Sequence, residues 1–364
     1  MSLSPPNLAA STAPSLPFNA SDLAAWLETH VEGFRGPMTI RPFEGGQSNP
    51  TYHLNTPLRQ YVLRTKPAAA AKLVPSAHAI EREFGVLRAL SASDVPVPRV
   101  ECLCVDETVI GRVFYIMEFI EGRILWDPSL PGLTGPDRER HYDEINRVLA
   151  AIHTVDIQTH GLNEFGKPAD YFERQIRRWT RQYKASADGA SDLSQPIPDM
   201  EKLAEWLPEN IPPIAVAYRP SVVHGDFRLD NLLFHPTEPR ILAVLDWELS
   251  TLGHPLADLS YYCLAWHVPK DMFRGMSDVP LAAGVPTEAE FIKRWCVRTD
   301  FASPAALRGS WNFFLAFSLF RVAAILQGIS KRVELGTAGN EHAAEVSVNA
   351  RPLSALGWGL ATSA

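Results

Sequence analysis

Residues 222–234 read Val222-Val223-His224-Gly225-Asp226-Phe227-Arg228-Leu229-Asp230-Asn231-Leu232-Leu233-Phe234. Two short apolar runs flank a polar loop that carries a histidine, two aspartates, an arginine and an asparagine. A second segment of the same kind follows. Ile241-Leu242-Ala243-Val244-Leu245-Asp246-Trp247-Glu248 is an apolar strand that delivers Asp246 at its end. Phosphoryl transfer asks little of a protein: a carboxylate to take a hydroxyl proton, oxygen ligands for Mg²⁺, and a cation for the γ-phosphate. These two segments contain all three.

Upstream, a short helix is predicted from Asp22 to about Val31. Strand-like runs follow at Met38 to Phe43, Thr51 to Asn55 and Tyr61 to Thr65. Between the first two runs lies Glu44-Gly45-Gly46-Gln47-Ser48-Asn49-Pro50. Such a polar, flexible loop can bring backbone N–H groups to a phosphate, or can simply be a hairpin loop. From Ala77 to Leu90, Ile80, Phe84, Leu87 and Leu90 recur at helical spacing and mark a buried face. Glu83 falls between Leu87 and Leu90 on that face, whereas Glu81 points away. A carboxylate among apolar neighbours wants a partner. Two more strands, Val100 to Val105 and Val113 to Phe119, bring the N-terminal sheet to five, and Gly122 marks the crossing into a mostly helical remainder.

The pattern His224-x-Asp226-x4-Asn231, followed by the Asp246 strand, resembles the catalytic loop and metal-binding segment of aminoglycoside phosphotransferases and choline kinases, relatives of the protein kinases. The resemblance covers roughly residues 37–330. It implies an α+β, two-lobed protein-kinase-like fold with an N-terminal five-stranded antiparallel sheet plus helix and a mostly helical C-terminal lobe. The expected division is an arm over residues 1–20, a nucleotide-binding lobe over 21–120, and a catalytic and substrate-binding lobe over 121–364.

The resemblance further implies ATP and Mg²⁺ as cofactors and a small-molecule hydroxyl as acceptor. Asp226 would be the base that orients the hydroxyl and accepts its proton. Arg228 would meet the γ-phosphate. Asn231 and Asp246 would bind Mg²⁺, and Glu248 a second metal. His224 would pack beneath the loop. Asp258 would either brace the catalytic-loop backbone or simply cap a helix. In Val62-Leu63-Arg64, Arg64 stands where relatives carry the residue that grips the α- and β-phosphates, with Glu83 as its ion-pair partner. Lys66, on the same side of the strand, is the lesser candidate. Ser48 belongs to the phosphate loop. Met117-Glu118-Phe119-Ile120 falls at the hinge, where adenine would meet the Glu118 carbonyl and the Ile120 N–H.

A finer match is to the kinase domain fused to some acyl-CoA dehydrogenases, carried by Gly45-Gly46-Gln47-Ser48-Asn49, Val62-Leu63-Arg64-x-Lys66-Pro67, the stretch Ser76 to Glu83, and Asp246-Trp247-Glu248. That subgroup implies a hydroxyacyl-CoA acceptor. The sequence departs from it at His254, where the subgroup usually has Asp. One feature read from the residues bears on the acceptor. A helix from Tyr171 to Lys184 sets Phe172, Ile176, Trp179 and Tyr183 on one side, and Arg174, Arg177, Arg178, Arg181 and Lys184 on the other. The basic face is either solvated or an anion contact, and it argues against a cationic aminoglycoside. The competing expectations are a kinase of a cationic alcohol, such as an aminoglycoside or choline, and an inactive ATP-binding module. The Trp247-Glu248 that follows Asp246 lacks the Phe-Gly of a protein-kinase activation loop.

Composition agrees. A chain of 364 residues with 46% apolar content can fill two packed lobes, and a net charge of −7 excludes a general nucleic-acid binder. The four cysteines (Cys102, Cys104, Cys263 and Cys296) show no metal-site spacing and are expected to be reduced thiols of a cytoplasmic protein. No signal peptide is expected. Asn312, Arg321 and Gln327 interrupt the apolar stretch from Trp311 to Ile329, which predicts a buried helix and no membrane span.

Overall fold

The computed structural model describes residues 16–43, 49–67, 80–188, 194–337 and 343–363. Two compact units emerge. The first comprises Met1–Ile124, Gln158–Phe165 and Asn231–Ser250; the second comprises Leu125–Ile157, Gly166–Asp230 and Thr251–Ala364.

In the first unit, β1 (Thr39–Pro42), β2 (Thr51–Asn55), β3 (Gln60–Thr65), β4 (Val100–Cys104) and β5 (Phe114–Glu118) form one antiparallel sheet in the order β1-β2-β3-β5-β4. All five expected strands are present, with no end displaced by more than one residue. Strand alternation sorts their side chains. Tyr61, Leu63, Phe114 and Ile116 join Leu23 and Leu27 of helix α1 (Ala20–His30) in one core cluster. The Asn19 side chain starts α1 by accepting the Ser21 N–H at 2.8 Å. On the opposite face, Phe84 of helix α2 (Ile80–Leu90) lies 6.0 Å from the Tyr115 ring. The helix was expected to start at Ala77; residues 77–79 lie outside the described residues. Alternation therefore turns Arg64 toward α2.

Past Gly122, β6 (Arg123–Ile124) pairs with the strand Leu232–Phe234, which pairs in turn with Ile241–Val244. A Cβ on Gly122 would come within 2.6 Å of the Phe234 carbonyl oxygen, so only glycine lets the chain pass here. The Leu245 N–H donates to the Asn231 carbonyl at 2.8 Å, tying together the two segments that sequence reading singled out.

The second unit is mainly helical. Helix α3 (Gly135–Thr154), helix α4 (Tyr171–Ser186) and the helices Leu256–Cys263, Glu288–Thr299, Trp311–Glu334 and Ala350–Thr362 accompany a two-stranded ladder of Ser221–Val223 with Thr251–Gly253. Helix Trp311–Glu334 is the one helix among the described residues long and apolar enough to cross a membrane, yet 83% of its most apolar window is buried within the protein. Its polar residues are bonded inside: Gln327 donates to the Gln195 carbonyl at 3.1 Å and Asn312 to the Ser363 carbonyl at 3.2 Å. Phe172 of α4 packs edge-on to Phe317, with ring centroids 5.0 Å apart. All four cysteines are free.

Candidate active site

In the first unit, three acidic side chains converge on one guanidinium. Arg64 reaches Glu83 from Nε at 2.9 Å, Asp246 from Nη2 at 2.7 Å and Glu248 from Nη2 at 3.7 Å. Lys66, in contrast, takes Glu81 at 2.5 Å near the surface. Burial alone would pull the Arg64 pKa down, but the adjacent Glu83 and Asp246 charges reverse this and hold it above the usual arginine value. Burial is also the largest influence on Glu83, and it leaves that carboxyl above its usual range despite the Arg64 charge. Asn49, at the edge of the polar loop, donates to Glu248 at 3.5 Å. Asp246 sits in the left-handed region, with φ 65° and ψ 60°, a conformation uncommon for residues other than glycine but tolerated by aspartate and asparagine. That turn brings its carboxylate back onto Arg64.

The other first-unit residues singled out from the sequence are also placed. Asn231 ends a short turn and is buried. Glu118 closes β5 opposite Tyr61, and its side chain accepts the Arg99 N–H at 2.8 Å. Ile120 lies just beyond the strand. Ser48 lies outside the described residues.

In the second unit the loop around Asp226 is held from below. Asp258 is fully buried and accepts two loop amides, His224 N–H at 2.6 Å and Gly225 N–H at 2.8 Å. Behind it stands His153, with Nε2 at 3.4 Å from Asp258 and Nδ1 accepting the Trp295 indole N–H at 3.0 Å. Burial works to raise the Asp258 pKa, but the His153 contact and the loop amide outweigh it and leave the carboxyl below its usual value. Both Asp258 oxygens are taken by the loop amides, so Asp258 braces the loop and does not cap its own helix. His224 is buried, and its Nδ1 accepts the Asp226 N–H at 3.1 Å.

Asp226 itself is gripped at both oxygens. The Tyr261 hydroxyl donates to Oδ1 at 2.7 Å, and Arg228 Nε stands 3.4 Å from Oδ2. Arg228 also reaches Asp230 at 3.1 Å, and Arg274 meets the same Asp230 oxygen at 2.5 Å. Arg274 lies over Trp126, 4.4 Å from its ring centroid. It is one of two consecutive left-handed residues, Phe273 at φ 39° and Arg274 at φ 58°. Arg321, buried in the long helix, donates to the Gly225 carbonyl and lies 5.1 Å from the Tyr261 ring. Sequence reading did not single out Tyr261, Arg274 or His153. Only Tyr261 left a signal, standing one helical turn beyond Asp258.

The implied Mg²⁺ can be tested against this donor set. Asp246 and Glu248 supply hard carboxylate oxygens that already meet at one cationic nitrogen. Hard oxygens of this kind suit Mg²⁺ shared with phosphates, whereas among the described residues no group of three or more His, Cys, Asp or Glu side chains is set to hold a metal by itself.

A sheet with one helix, a mostly helical unit, a braced aspartate loop and a carboxylate pair on a guanidinium define a kinase-like small-molecule phosphotransferase architecture. The chain belongs to the phosphotransferase enzyme family, whose model matches residues 39–287. It is 46% identical over 344 residues to mouse (Mus musculus) acyl-CoA dehydrogenase family member 10, covering 92% of this chain but 31% of that protein. A crystal structure from Ralstonia eutropha, of a candidate aminoglycoside phosphotransferase, is 51% identical, with a TM-score of 0.83 over 94% of this chain and 98% of that one. ADP-bound aminoglycoside phosphotransferase APH(2'')-Ib shares the fold at 15% identity and a TM-score of 0.56, covering 94% of this chain and 99% of its own. The chain thus spans less than a third of the length of the mouse relative.

Proposed function

We propose that this chain transfers the γ-phosphoryl group of ATP, with Mg²⁺, to a hydroxyl of a small anionic metabolite, a hydroxyacyl-CoA being the leading acceptor. The observation that carries the reading is the convergence of Glu83, Asp246 and Glu248 on Arg64. It is a pre-set charge cluster of the kind that phosphates and a divalent metal require.

In this reading Arg64, steadied by Glu83, holds the α- and β-phosphates, and the Ser48 loop supplies backbone donors. The Glu118 carbonyl and the Ile120 N–H take the adenine. Asn231 and Asp246, with Glu248 for a second ion, are the metal ligands. Bound Mg²⁺ would offset the negative charge that gathers on the phosphates. Asp226, fixed by Tyr261, orients the acceptor hydroxyl and accepts its proton. Arg228 faces the transferring group. The division into a nucleotide lobe near residues 21–120 and an acceptor lobe beyond is part of the same proposal, as is a reducing, cytoplasmic setting for the four thiols.

The relative's name, acyl-CoA dehydrogenase family member 10, supports a CoA-linked acceptor. A cationic alcohol is less well matched to Arg228 and Arg321 beside Asp226. An inactive module is less well matched to a chain that keeps Asp226, Asn231 and Asp246.

The test is Mg-dependent ADP release with a panel of hydroxyacyl-CoAs, aminoglycosides and choline. A hydroxyacyl-CoA should give the highest kcat/KM, and Asp226→Asn should lower kcat by roughly 10²–10⁴-fold while nucleotide still binds. Near-normal turnover by that variant, or no acceptor-dependent ADP release at all, would overturn the reading.

A further inference from the structure

The five cations of α4 are not equivalent. Arg174 donates to the Ala169 carbonyl at 2.9 Å and to that of Lys167, which spends it on a loop. Arg177 is exposed and paired with Glu173 at 2.6 Å. Arg181 and Lys184 are exposed. Arg178 alone turns inward. It is half-buried, and its guanidinium lies 5.1 Å from the centroid of the buried Trp179 ring. The Arg321 guanidinium lies 5.3 Å from that same ring.

Two like charges on one indole repel unless something offsets them. Burial first, and the Arg321 charge second, press the Arg178 pKa below its usual value. Among the described residues neither arginine forms an ion pair with a carboxylate. Among the described residues, the buried donors Arg321 Nε and Trp179 Nε1 find no hydrogen-bond acceptor. Such a cluster is costly to keep unless an acceptor of hydrogen bonds arrives to complete it.

We propose that Arg178 and Arg321, beside Trp179, form an acceptor subsite for an anionic oxygen group, a carboxylate or a phosphate, carried by the alcohol to be phosphorylated. This rests on the kinase reading above and goes beyond it in naming the contact. Its place fits. Arg321 holds the carbonyl of Gly225, next to Asp226, and lies against Tyr261, whose hydroxyl bonds the Asp226 carboxylate. A molecule whose hydroxyl meets Asp226 can set its charged group on the two guanidiniums, which bind oxyanions through planar paired donors.

The test is calorimetric binding to the ADP-loaded protein of three probes: 4-hydroxypentanoate, its CoA ester, and neutral 1,4-pentanediol. No turnover is needed, so failure of the subsite is distinguishable from failure of the kinase reading. Arg178→Gln should weaken an anionic probe roughly ten- to hundredfold and leave the diol unchanged. A loss seen with the free acid assigns the subsite to a carboxylate; a loss confined to the ester assigns it to CoA phosphates. Arg177→Gln, on the same helix with the same charge, should change nothing. Equal losses for Arg177→Gln and Arg178→Gln would overturn the subsite in favour of a diffuse field, as would unchanged binding of both anions to Arg178→Gln. If Arg178→Gln does not fold, Arg178→Lys takes its place. It keeps the charge but not the fork, and unchanged binding of both anions to that variant would be equally fatal.

Discussion

At the scale of single residues, the side chain that adds most to the proposed chemistry is Tyr261. Burial first, and the Asp226 charge second, push its hydroxyl far above the usual phenol value. It therefore stays a donor at any working pH and fixes one oxygen of Asp226 at 2.7 Å. The other oxygen is left to face Arg228. Tyr261→Phe removes the donor and keeps the ring under Arg321. We expect kcat to fall about 10- to 100-fold with KM for ATP unchanged, since a positioning residue acts on the base and not on the nucleotide. A parallel rise in KM for ATP would assign Tyr261 to the fold instead. The loop itself stood out in the sequence because His224, Asp226 and Asn231 lie in one short stretch; the chemistry assigned to it is part of the proposal. Asp258 was not decided by sequence, since a helix cap and a backbone brace look alike until the loop amides are seen on its two oxygens.

At the scale of elements, β3 and α2 show what local periodicity can place. The family resemblance singled out Arg64, and a period of 3.6 independently put Glu83 on the buried face of α2. The two meet at 2.9 Å. Glu83 is 3% exposed, so removing Arg64 strands a buried carboxyl, whereas removing Glu83 leaves Arg64 held by Asp246 and Glu248 alone. Arg64→Gln and Glu83→Gln should each raise KM for ATP, and the double variant should cost less than the two added together, with a coupling of about 0.5–3 kcal/mol. Strictly additive effects would mean that the pair does not act as a unit. Arg274 left no trace, and Arg321 was read only as a polar interruption of an apolar stretch. Arg274 reaches Asp230 and Arg321 the Gly225 carbonyl from far along the chain, and nothing in the flanking sequence states where such a side chain ends. The basic face of α4 was legible as a face, but its division into spent, exposed and inward-turned arginines depends on the loop carbonyls and on Trp179.

Across the molecule as a whole, stability should carry the mark of His254. Its Nε2 reaches the Ile214 carbonyl at 3.0 Å and its Nδ1 accepts the Leu256 N–H at 3.2 Å, so the buried ring is neutral with the proton on Nε2. Tyr218 lies 4.3 Å away and Phe172 5.1 Å away. An ionised aspartate could accept from Leu256 but could not donate to Ile214, which gives the departure from the resembling subgroup a physical role. Burial holds the His254 pKa down to about 4. A histidine depressed in the folded state is protonated first in the unfolded chain, so stability is lost as pH falls from about 6.5 toward 4, reaching roughly 3 kcal/mol. Thermal melts over that range should show a falling midpoint, and His254→Gln should flatten the dependence. An unchanged slope in that variant would move the acid sensitivity to other groups. The long helix Trp311–Glu334 belongs to this scale as well. Sequence reading placed it inside the protein from three interrupting polar residues, and all three, Asn312, Arg321 and Gln327, bond to distant carbonyls of the second unit.

The guanidinium of Arg64 among Glu83, Asp246 and Glu248 makes the idle protein its own counter-ion. One positive charge offsets only part of three acidic groups, so the cluster still holds an unmet demand for cations. On the proposed reading, a nucleotide that drew Arg64 toward its phosphates would deepen that demand, and a divalent ion arriving with it would relieve it. Metal and nucleotide would then each bind more tightly in the other's company than alone.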